Sequence, residues 1–433
     1  MDNISELILK DREERNNKIK SLLEIYNVLS LKINVMGSNK NTRFANVLLR
    51  LYESYIDNNF YNKDYKYITK TKYLSYDGTY VLYTFPKDVH LKNILIKIEE
   101  SEEVGRLLDL DFYEKIETVN DTSFTYSIRR SSPRKCLICD EDVYTCMRKR
   151  KHSLQELINK AEELTYNKIE KMISKAIKDS MLMELDLHPK FGLVTPFSNG
   201  SHNDMNYDLM RNSQEVIFPY LVKMFKVGYF NEKFDIFDKI NKIGKDAEKA
   251  MYEYTNNINT YKGLIFCLGL FVAAIGYVMA NNLALEDVFL TIKEVYIASD
   301  HCKICDTQTY GYKVYKELNF GGVRKEASLG FPSVKNSLNV STSTLVTLVH
   351  LITISDDSVL LKRCGTKEKY NQVKEVFKKL NCNDLDEVNN LTEEMIEENL
   401  SFGGSADLLV CTLFVRIVQS QYNLRSIKWE KLI

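Results

Sequence analysis

The stretch Gly263-Leu264-Ile265-Phe266-Cys267-Leu268-Gly269-Leu270-Phe271-Val272-Ala273-Ala274-Ile275-Gly276-Tyr277-Val278-Met279-Ala280 decides between a membrane-bound chain and a folded one with a helical core. No residue from Gly263 to Leu285 is charged, and about 20 apolar residues suffice to cross a bilayer. Three features favour a helix buried on all sides within a helical domain. The segment follows a polar, motif-like run (Asn259-Thr260-Tyr261-Lys262), no second segment is comparable, and Asn281 and Asn282 interrupt its end.

Around this helix the pattern stays helical from Ser153 to the C-terminus. Ser153-Leu154-Gln155-Glu156 has the spacing of a capping box, in which Ser and Glu side chains satisfy the first free amides of a helix. Polar, glycine-bearing interruptions at 188–206, 256–263, 319–332, 355–366 and 401–407 read as loops converging on a site. Upstream the pattern is mixed. Residues 4–26 recur apolar at helical spacing, Val28–Met36 alternates like a strand, and a helix is expected from Asn41 to about Asp57. Tyr65–Tyr76 and Thr79–Phe85 flank Asp77-Gly78, a two-residue hairpin signal. Ile94–Ile98 and Leu107–Phe112 read as further strands. The expected architecture is multidomain: an N-terminal mixed α/β (α+β) domain over 1–165, then an all-α helical domain over 166–433.

The chain has 433 residues, 59 basic and 59 acidic, for a formal net charge of zero. That balance argues against a domain built to hold nucleic acid, which carries a basic excess. Nine cysteines, an odd number, do not read as a secreted disulfide framework. The N-terminus shows no signal-peptide pattern. A cytoplasmic location without membrane attachment is expected.

In Gly105-Arg106-Leu107-Leu108-Asp109-Leu110-Asp111-Phe112, residues two apart on a strand share a face. Asp109 and Asp111 therefore point together while Leu108, Leu110 and Phe112 point to the core. Such a pair could hold Mg²⁺ alongside substrate phosphates, or simply be one wet face. Further on come Arg129-Arg130, Arg134-Lys135, Cys136-Leu137-Ile138-Cys139, Cys146 and His152. Three thiolates and an imidazole suffice for a closed zinc site; the other reading is reduced thiols beside a basic patch. The arginines suit a nucleotide-like phosphate.

These clusters, with residues 9–15 (Leu-Lys-Asp-Arg-Glu-Glu-Arg) and Gly37 with Lys40, resemble in order the apo-citrate lyase phosphoribosyl-dephospho-CoA transferase family over roughly residues 1–165. The resemblance implies transfer of the prosthetic group to a serine of the lyase acyl carrier (gamma) subunit with release of diphosphate. On chemistry we expect Asp109 and Asp111 at a metal, and Lys40, Arg106, Arg129 and Arg130 at phosphates.

Five loop motifs mark the second half. They are His188-Pro189-Lys190-Phe191-Gly192-Leu193-Val194, Gly200-Ser201-His202-Asn203-Asp204-Met205, Asn259-Thr260-Tyr261-Lys262-Gly263, the run Gly322-Val323-Arg324-Lys325-Glu326-Ala327 with Gly330-Phe331-Pro332, and Ser401-Phe402-Gly403-Gly404-Ser405-Ala406-Asp407. Together they resemble the triphosphoribosyl-dephospho-CoA synthase family over about 170–433. That resemblance implies a reaction of ATP with 3′-dephospho-CoA that releases adenine. We expect phosphate contacts from Lys190, Lys262 and Arg324, metal or base roles for Asp204, Glu326, Asp356 and Asp407, and an anion-accepting loop at Gly403, Gly404 and Ser405. The chain departs from the family in having Tyr261 for His, Lys325 for Gly and Asp356-Asp357-Ser358 for Asp-Thr-Asn. The following Arg-Gly-Gly is altered to Lys362-Arg363-Cys364-Gly365. The implied whole is a bifunctional transferase. The alternatives are an active synthase whose N-terminal half only docks the carrier or binds zinc, and a non-enzymatic zinc-bearing or membrane-associated protein.

Overall fold

The computed structural model describes residues 2–60, 65–115, 134–299 and 320–423. Contacts divide the chain into two compact units. The first is Met1–Ile169 with Ser420–Ile433, and the second is Glu170–Gln419.

The first unit is built on a four-stranded antiparallel sheet ordered β2-β3-β1-β4, where β1 is Asn27–Ile33, β2 Thr69–Tyr73, β3 Tyr80–Phe85 and β4 Leu108–Tyr113. Both faces of the inner strands are covered. Helix α1 (Asp2–Leu23) places Ile19 and Leu23 against Val28, Tyr80 and Leu82. On the opposite face α2 (Arg43–Phe60) brings Phe60 edge-on to Phe85, with ring centroids 6.4 Å apart. Each such fully buried side chain contributes about 1.5–3 kcal/mol. The edge strand β4 alternates as its sequence predicts: Leu108, Leu110 and Phe112 are buried, while Asp109, Asp111 and Tyr113 are half-buried. The end of the described chain also belongs here. Arg50 and Ser54 of α2 donate to the carbonyls of Asn423 and Ser420, and Tyr422 is fully buried.

Two local expectations are corrected. Ile94–Ile98 is not a strand but lies in helix α3, Lys92–Glu100. Its β-branched composition imitates a strand, yet the buried positions Leu91, Leu95 and Ile98 recur at helical spacing. The hairpin at Asp77-Gly78 does form, with Tyr73 paired to Tyr80. The intervening loop is therefore six residues rather than a two-residue turn. Gly78 has φ +99°, and Asp77 is buried.

After a short helix α4 (Val143–Arg148), α5 runs from Leu154 to Leu185. The capping box that opens it is present: Ser153 N–H donates to Glu156 Oε2 at 2.7 Å, and Glu156 N–H to Ser153 Oγ at 3.2 Å.

The second unit is all helix among the described residues. Its helices are α6 (Tyr207–Phe230), α7 (Ile236–Tyr254), α8 (Lys262–Ala280), α9 (Glu286–Ala298), α10 (Gly322–Leu329) and α11 (Pro332–Ser337). They continue as α12 (Thr344–Ile354), α13 (Ser358–Cys364), α14 (Lys367–Lys379), α15 (Leu385–Glu397) and α16 (Gly403–Gln421). Helix α8 carries the apolar stretch. It is long and apolar enough to cross a membrane, and 78% of its most apolar window is buried within the protein. It packs closely against α6 because small residues let the backbones approach: a Cβ at Gly228 would collide with the carbonyl of Ala273.

Candidate functional site

In the first unit, antiparallel pairing sets Lys32 opposite Asp109 and Ser30 opposite Asp111. The two carboxylates share a face, as expected. Burial pushes the Asp111 carboxyl up and neighbouring Asp109 adds to this, while Lys92 and Arg134 oppose it. Lys92 Nζ lies 3.9 Å from Asp111 Oδ1. Arg134 forks between Glu99 Oε1 at 3.0 Å and Asp109 Oδ1 at 3.3 Å. Buried Glu99 is held in turn by the amide of Leu110 at 2.9 Å.

A second charged group adjoins this pair. Asp77 accepts hydrogen bonds from Arg12 at 2.8 Å and from Lys32, and Arg15 Nη1 forms an ion pair with it at 3.3 Å. Burial acts to raise its carboxyl, but Arg12, Lys32 and Arg15 together hold it below the usual carboxylate range. Burial and the charge of Arg15 lower Lys32 to about 8, against the opposing pull of Asp77 and Asp109. Lys40 donates to the carbonyl of Val35 at 2.7 Å, and its Cβ lies 3.5 Å from where a Cβ of Gly78 would stand. Arg106 is bound to the carbonyl of Cys136 and to Asp140 Oδ1, both at 2.7 Å. Arg129 and Arg130 lie outside the described residues. Cys136, Cys139, Cys146 and His152 come together, their ligand atoms all within 4.8 Å of one another.

In the second unit the motif loops meet around the starts of α8 and α16. Asp407 Oδ2 lies where a Cβ of Gly263 would project. Burial pushes the Asp407 carboxyl well above its usual range, and Asp357 and Glu184 add to the effect. Glu326, also raised by burial, accepts from the hydroxyl of Ser333 at 2.5 Å and from its amide at 3.1 Å. Asp356 is partly exposed and pairs with Lys325 at 3.3 Å.

Several expected ligands have protein partners. Lys190 is only 1% exposed, and its ammonium donates to Glu184 Oε1 at 2.9 Å and to the Glu184 carbonyl at 2.7 Å. The side chain is buried in this arrangement and its ammonium turns toward Glu184. The anion at the Gly403-Gly404-Ser405 loop is the chain's own Asp357. Its Oδ2 accepts from the amide and hydroxyl of Ser405 at 2.7 and 2.9 Å, and its Oδ1 caps α13. Lys262 pairs with Glu248 at 3.0 Å. Asp204 is exposed, 4.0 Å from His202 Nδ1, in the network that joins His202 to Ser401 and Arg363. Arg324 is half-buried on α10. Tyr261, where the family carries His, is buried and accepts from Gln214 at 3.0 Å.

Comparison with known proteins agrees with both halves of this picture. Residues 4–168 match the family model described as apo-citrate lyase phosphoribosyl-dephospho-CoA transferase, and residues 170–426 match ATP:dephospho-CoA triphosphoribosyl transferase. A protein of Leuconostoc mesenteroides subsp. cremoris named CitXG is 30% identical, over 95% of this chain and 97% of its own length. The protein of the same name from Haemophilus influenzae is 30% identical, over 78% and 79% respectively. A probable 2-(5″-triphosphoribosyl)-3′-dephosphocoenzyme-A synthase of Streptococcus mutans is 30% identical, over 59% of this chain and 98% of its own length. The chain belongs to the fused citrate lyase prosthetic-group enzyme family.

It is accordingly a bifunctional transferase of triphosphoribosyl-dephospho-CoA synthesis and of transfer to the apo-citrate lyase acyl carrier. Within that family the structure draws in residues given no site role from the sequence: Arg12, Arg15, Lys32 and Asp77 in the first unit, Glu184 in the second, and Asp357, which the sequence offers only within the Asp356-Asp357-Ser358 run. For the first group a signal existed, because Arg12 and Arg15 lie in the 9–15 run that carries the transferase resemblance. Glu184 sits mid-pattern in a long helix, where nothing distinguishes it from a solvated acid.

Proposed function

We propose that the second unit joins ATP to 3′-dephospho-CoA. The bond from the ATP ribose anomeric carbon to adenine breaks, and the 2′-oxygen of dephospho-CoA bonds to that carbon. Adenine leaves and the triphosphate stays in place. The observation that carries this reading is the pair of carboxyls with raised proton affinity, Asp407 and Glu326, gathered with Asp356 at the motif loops. A carboxyl whose proton affinity is raised can give a proton to the departing adenine, and a second carboxylate can take the proton of the attacking hydroxyl. Asp407 and Glu326 are the candidates for the first role, and Asp356, partly exposed beside Lys325, is the candidate for the second. Carboxylate charge nearby favours the positive anomeric carbon. Lys262 and Arg324 are assigned to the triphosphate, with Asp204 at the outer edge of the site. Lys190 acts by holding Glu184.

The first unit then delivers the product. A serine oxygen of the apo-carrier bonds to the α-phosphorus, the bond from that phosphorus to the bridging oxygen breaks, and diphosphate departs. The serine proton passes to a carboxylate of the Asp109–Asp111 pair. Lys32, Arg15, Lys40 and Arg106, with Arg129 and Arg130, supply positive charge for the phosphates. Two crowded carboxylates on one face fit a hard divalent cation, so Asp109 and Asp111 would hold Mg²⁺, which neutralises diphosphate charge when bound. The seven described cysteines form no disulfide, which suits a reducing cytoplasm.

Incubating the purified chain with ATP, dephospho-CoA, Mg²⁺ and apo-carrier tests the proposal. Free adenine, diphosphate and a carrier heavier by the phosphoribosyl-dephospho-CoA group are expected. Adenine with an unmodified carrier would reduce the first unit to a docking module.

A further inference from the structure

Cys136, Cys139, Cys146 and His152 have a geometry of their own. The Cys136 and Cys146 sulfurs are 3.5 Å apart, and those of Cys139 and Cys146 are 4.0 Å apart. An ion bonding sulfur at about 2.3 Å and imidazole nitrogen at about 2.0 Å with tetrahedral angles needs donors about 3.5–3.8 Å apart. All four donor atoms fall within 4.8 Å of one another. His152 Nε2 is buried and has no hydrogen-bond partner. A buried ring nitrogen left unpaired is costly, and a metal bond would satisfy it.

The backbone is shaped to hold these donors. Cys136 N–H donates to the Glu141 carbonyl at 2.7 Å and Ile138 N–H to the Cys136 sulfur at 3.5 Å. This folds residues 136–141 into a tight loop, with Asp140 at φ 56°. Asp142 caps α4, which carries Cys146. The Ser153–Glu156 capping box fixes the chain directly after His152.

We infer that Cys136, Cys139, Cys146 and His152 bind one structural zinc ion, and that this knuckle holds Arg134 in place beside Asp109 and fixes Arg106 against its own loop. Four protein donors close the coordination sphere, so the ion has no open position for substrate. Soft thiolates with one imidazole select zinc over Mg²⁺. The link to the acidic pair runs through Arg134. Arg106 donates to the carbonyl of Cys136 itself and pairs with Asp140 inside the loop. Arg134 begins the ribbon that closes the knuckle, its carbonyl accepting from Val143, and its guanidinium reaches Glu99 and Asp109. Arg134 is thus a positioning residue for the acidic pair, and the place of both Arg134 and Arg106 depends on the metal. This second half of the inference rests on the transferase reading of the first unit; the zinc site itself does not.

The experiment uses the full chain, purified under reducing conditions without chelator, with zinc content measured by mass spectrometry. One zinc per chain is expected. Replacing the metal with Co²⁺ should give the absorption of a tetrahedral cobalt–thiolate centre. Cys146→Ser should lose the metal, with transfer of pre-made cofactor to the carrier falling roughly 10–100-fold while adenine release continues. His152→Cys should keep zinc, change the cobalt spectrum and retain transfer. This separates loss of metal from general damage to the fold. A wild-type chain with neither zinc nor a cobalt–thiolate spectrum, or a Cys146→Ser variant that keeps its zinc, overturns the site. Full transfer by metal-free protein overturns the positioning role. If the wild type makes no holo-carrier at all, the transferase reading fails, while the metal measurements still judge the site.

Discussion

Asp407 Oδ2 occupies the space in which a side chain at Gly263 would begin. The absent Cβ lets the carboxyl rest on the first turn of α8, so two motifs 144 positions apart in sequence (263 and 407) form one feature. Gly263→Ala should therefore displace Asp407. A shift of about 1 Å at a reacting group can cost roughly 100-fold in rate. Adenine release should fall by that order, measured by chromatography, while transfer of pre-made cofactor stays unchanged. Normal adenine release from this variant would remove Asp407 from the reaction.

Lys32 gives the transfer step an alkaline limit. Its folded value, about 8, lies below that of an ordinary lysine because burial and Arg15 disfavour its charge. The charge is present below that value and disappears as pH rises through it. Transfer should accordingly decline above about pH 8, whereas Lys32→Arg, which stays charged, should hold its rate into the alkaline range. Asp77→Asn removes a partner that raises Lys32, so it should move the decline to lower pH. Rate profiles for the three proteins check both shifts.

Asp77→Asn should also weaken the fold. It leaves Arg12, Arg15 and Lys32 around a neutral group, and breaking a buried ion pair costs about 3 kcal/mol or more. The native Asp77 carboxyl sits below its unfolded value. Its stabilisation is therefore complete above the unfolded pKa and disappears as pH falls through the folded one. Denaturant unfolding at pH 7 should show the loss, and the gap between wild type and variant should narrow in acid.

Lys190 and Glu184 make a similar case in the second unit. Lys190→Met strands a buried carboxylate and should destabilise by about 3–5 kcal/mol. Adding Glu184→Gln should recover most of that loss, as measured by denaturant midpoints. A Lys190→Met variant of native stability would return Lys190 to the role of an open phosphate ligand.

What the sequence made legible was what depends on neighbours in the chain. The alternation of Leu108–Phe112 declares a half-buried strand, and Ser153 with Glu156 declares a helix start. The run around Leu268 declares a helix apolar on every side, and the polar residues 259–262 and Asn281-Asn282 that flank it favour burial within the protein. What stayed hidden depends on distant partners. Asp77 meets Arg12 and Lys32 across 65 and 45 residues. Asp357 meets Ser405 across 48. No periodicity reports that a motif lysine such as Lys190 turns inward to a carboxylate. Nor does any local pattern say that Tyr422 belongs with the first unit.

The central claim is that one chain carries two separable transferase sites, one holding Asp109 and the other Asp407. Mixing the Asp109→Asn and Asp407→Asn variants tests it most directly, with ATP, dephospho-CoA and apo-carrier present and holo-carrier followed by mass spectrometry. Each variant alone should form none, Asp109→Asn should still release adenine, and the mixture should restore holo-carrier. A mixture as inactive as its parts, or adenine release lost in Asp109→Asn, would contradict the division.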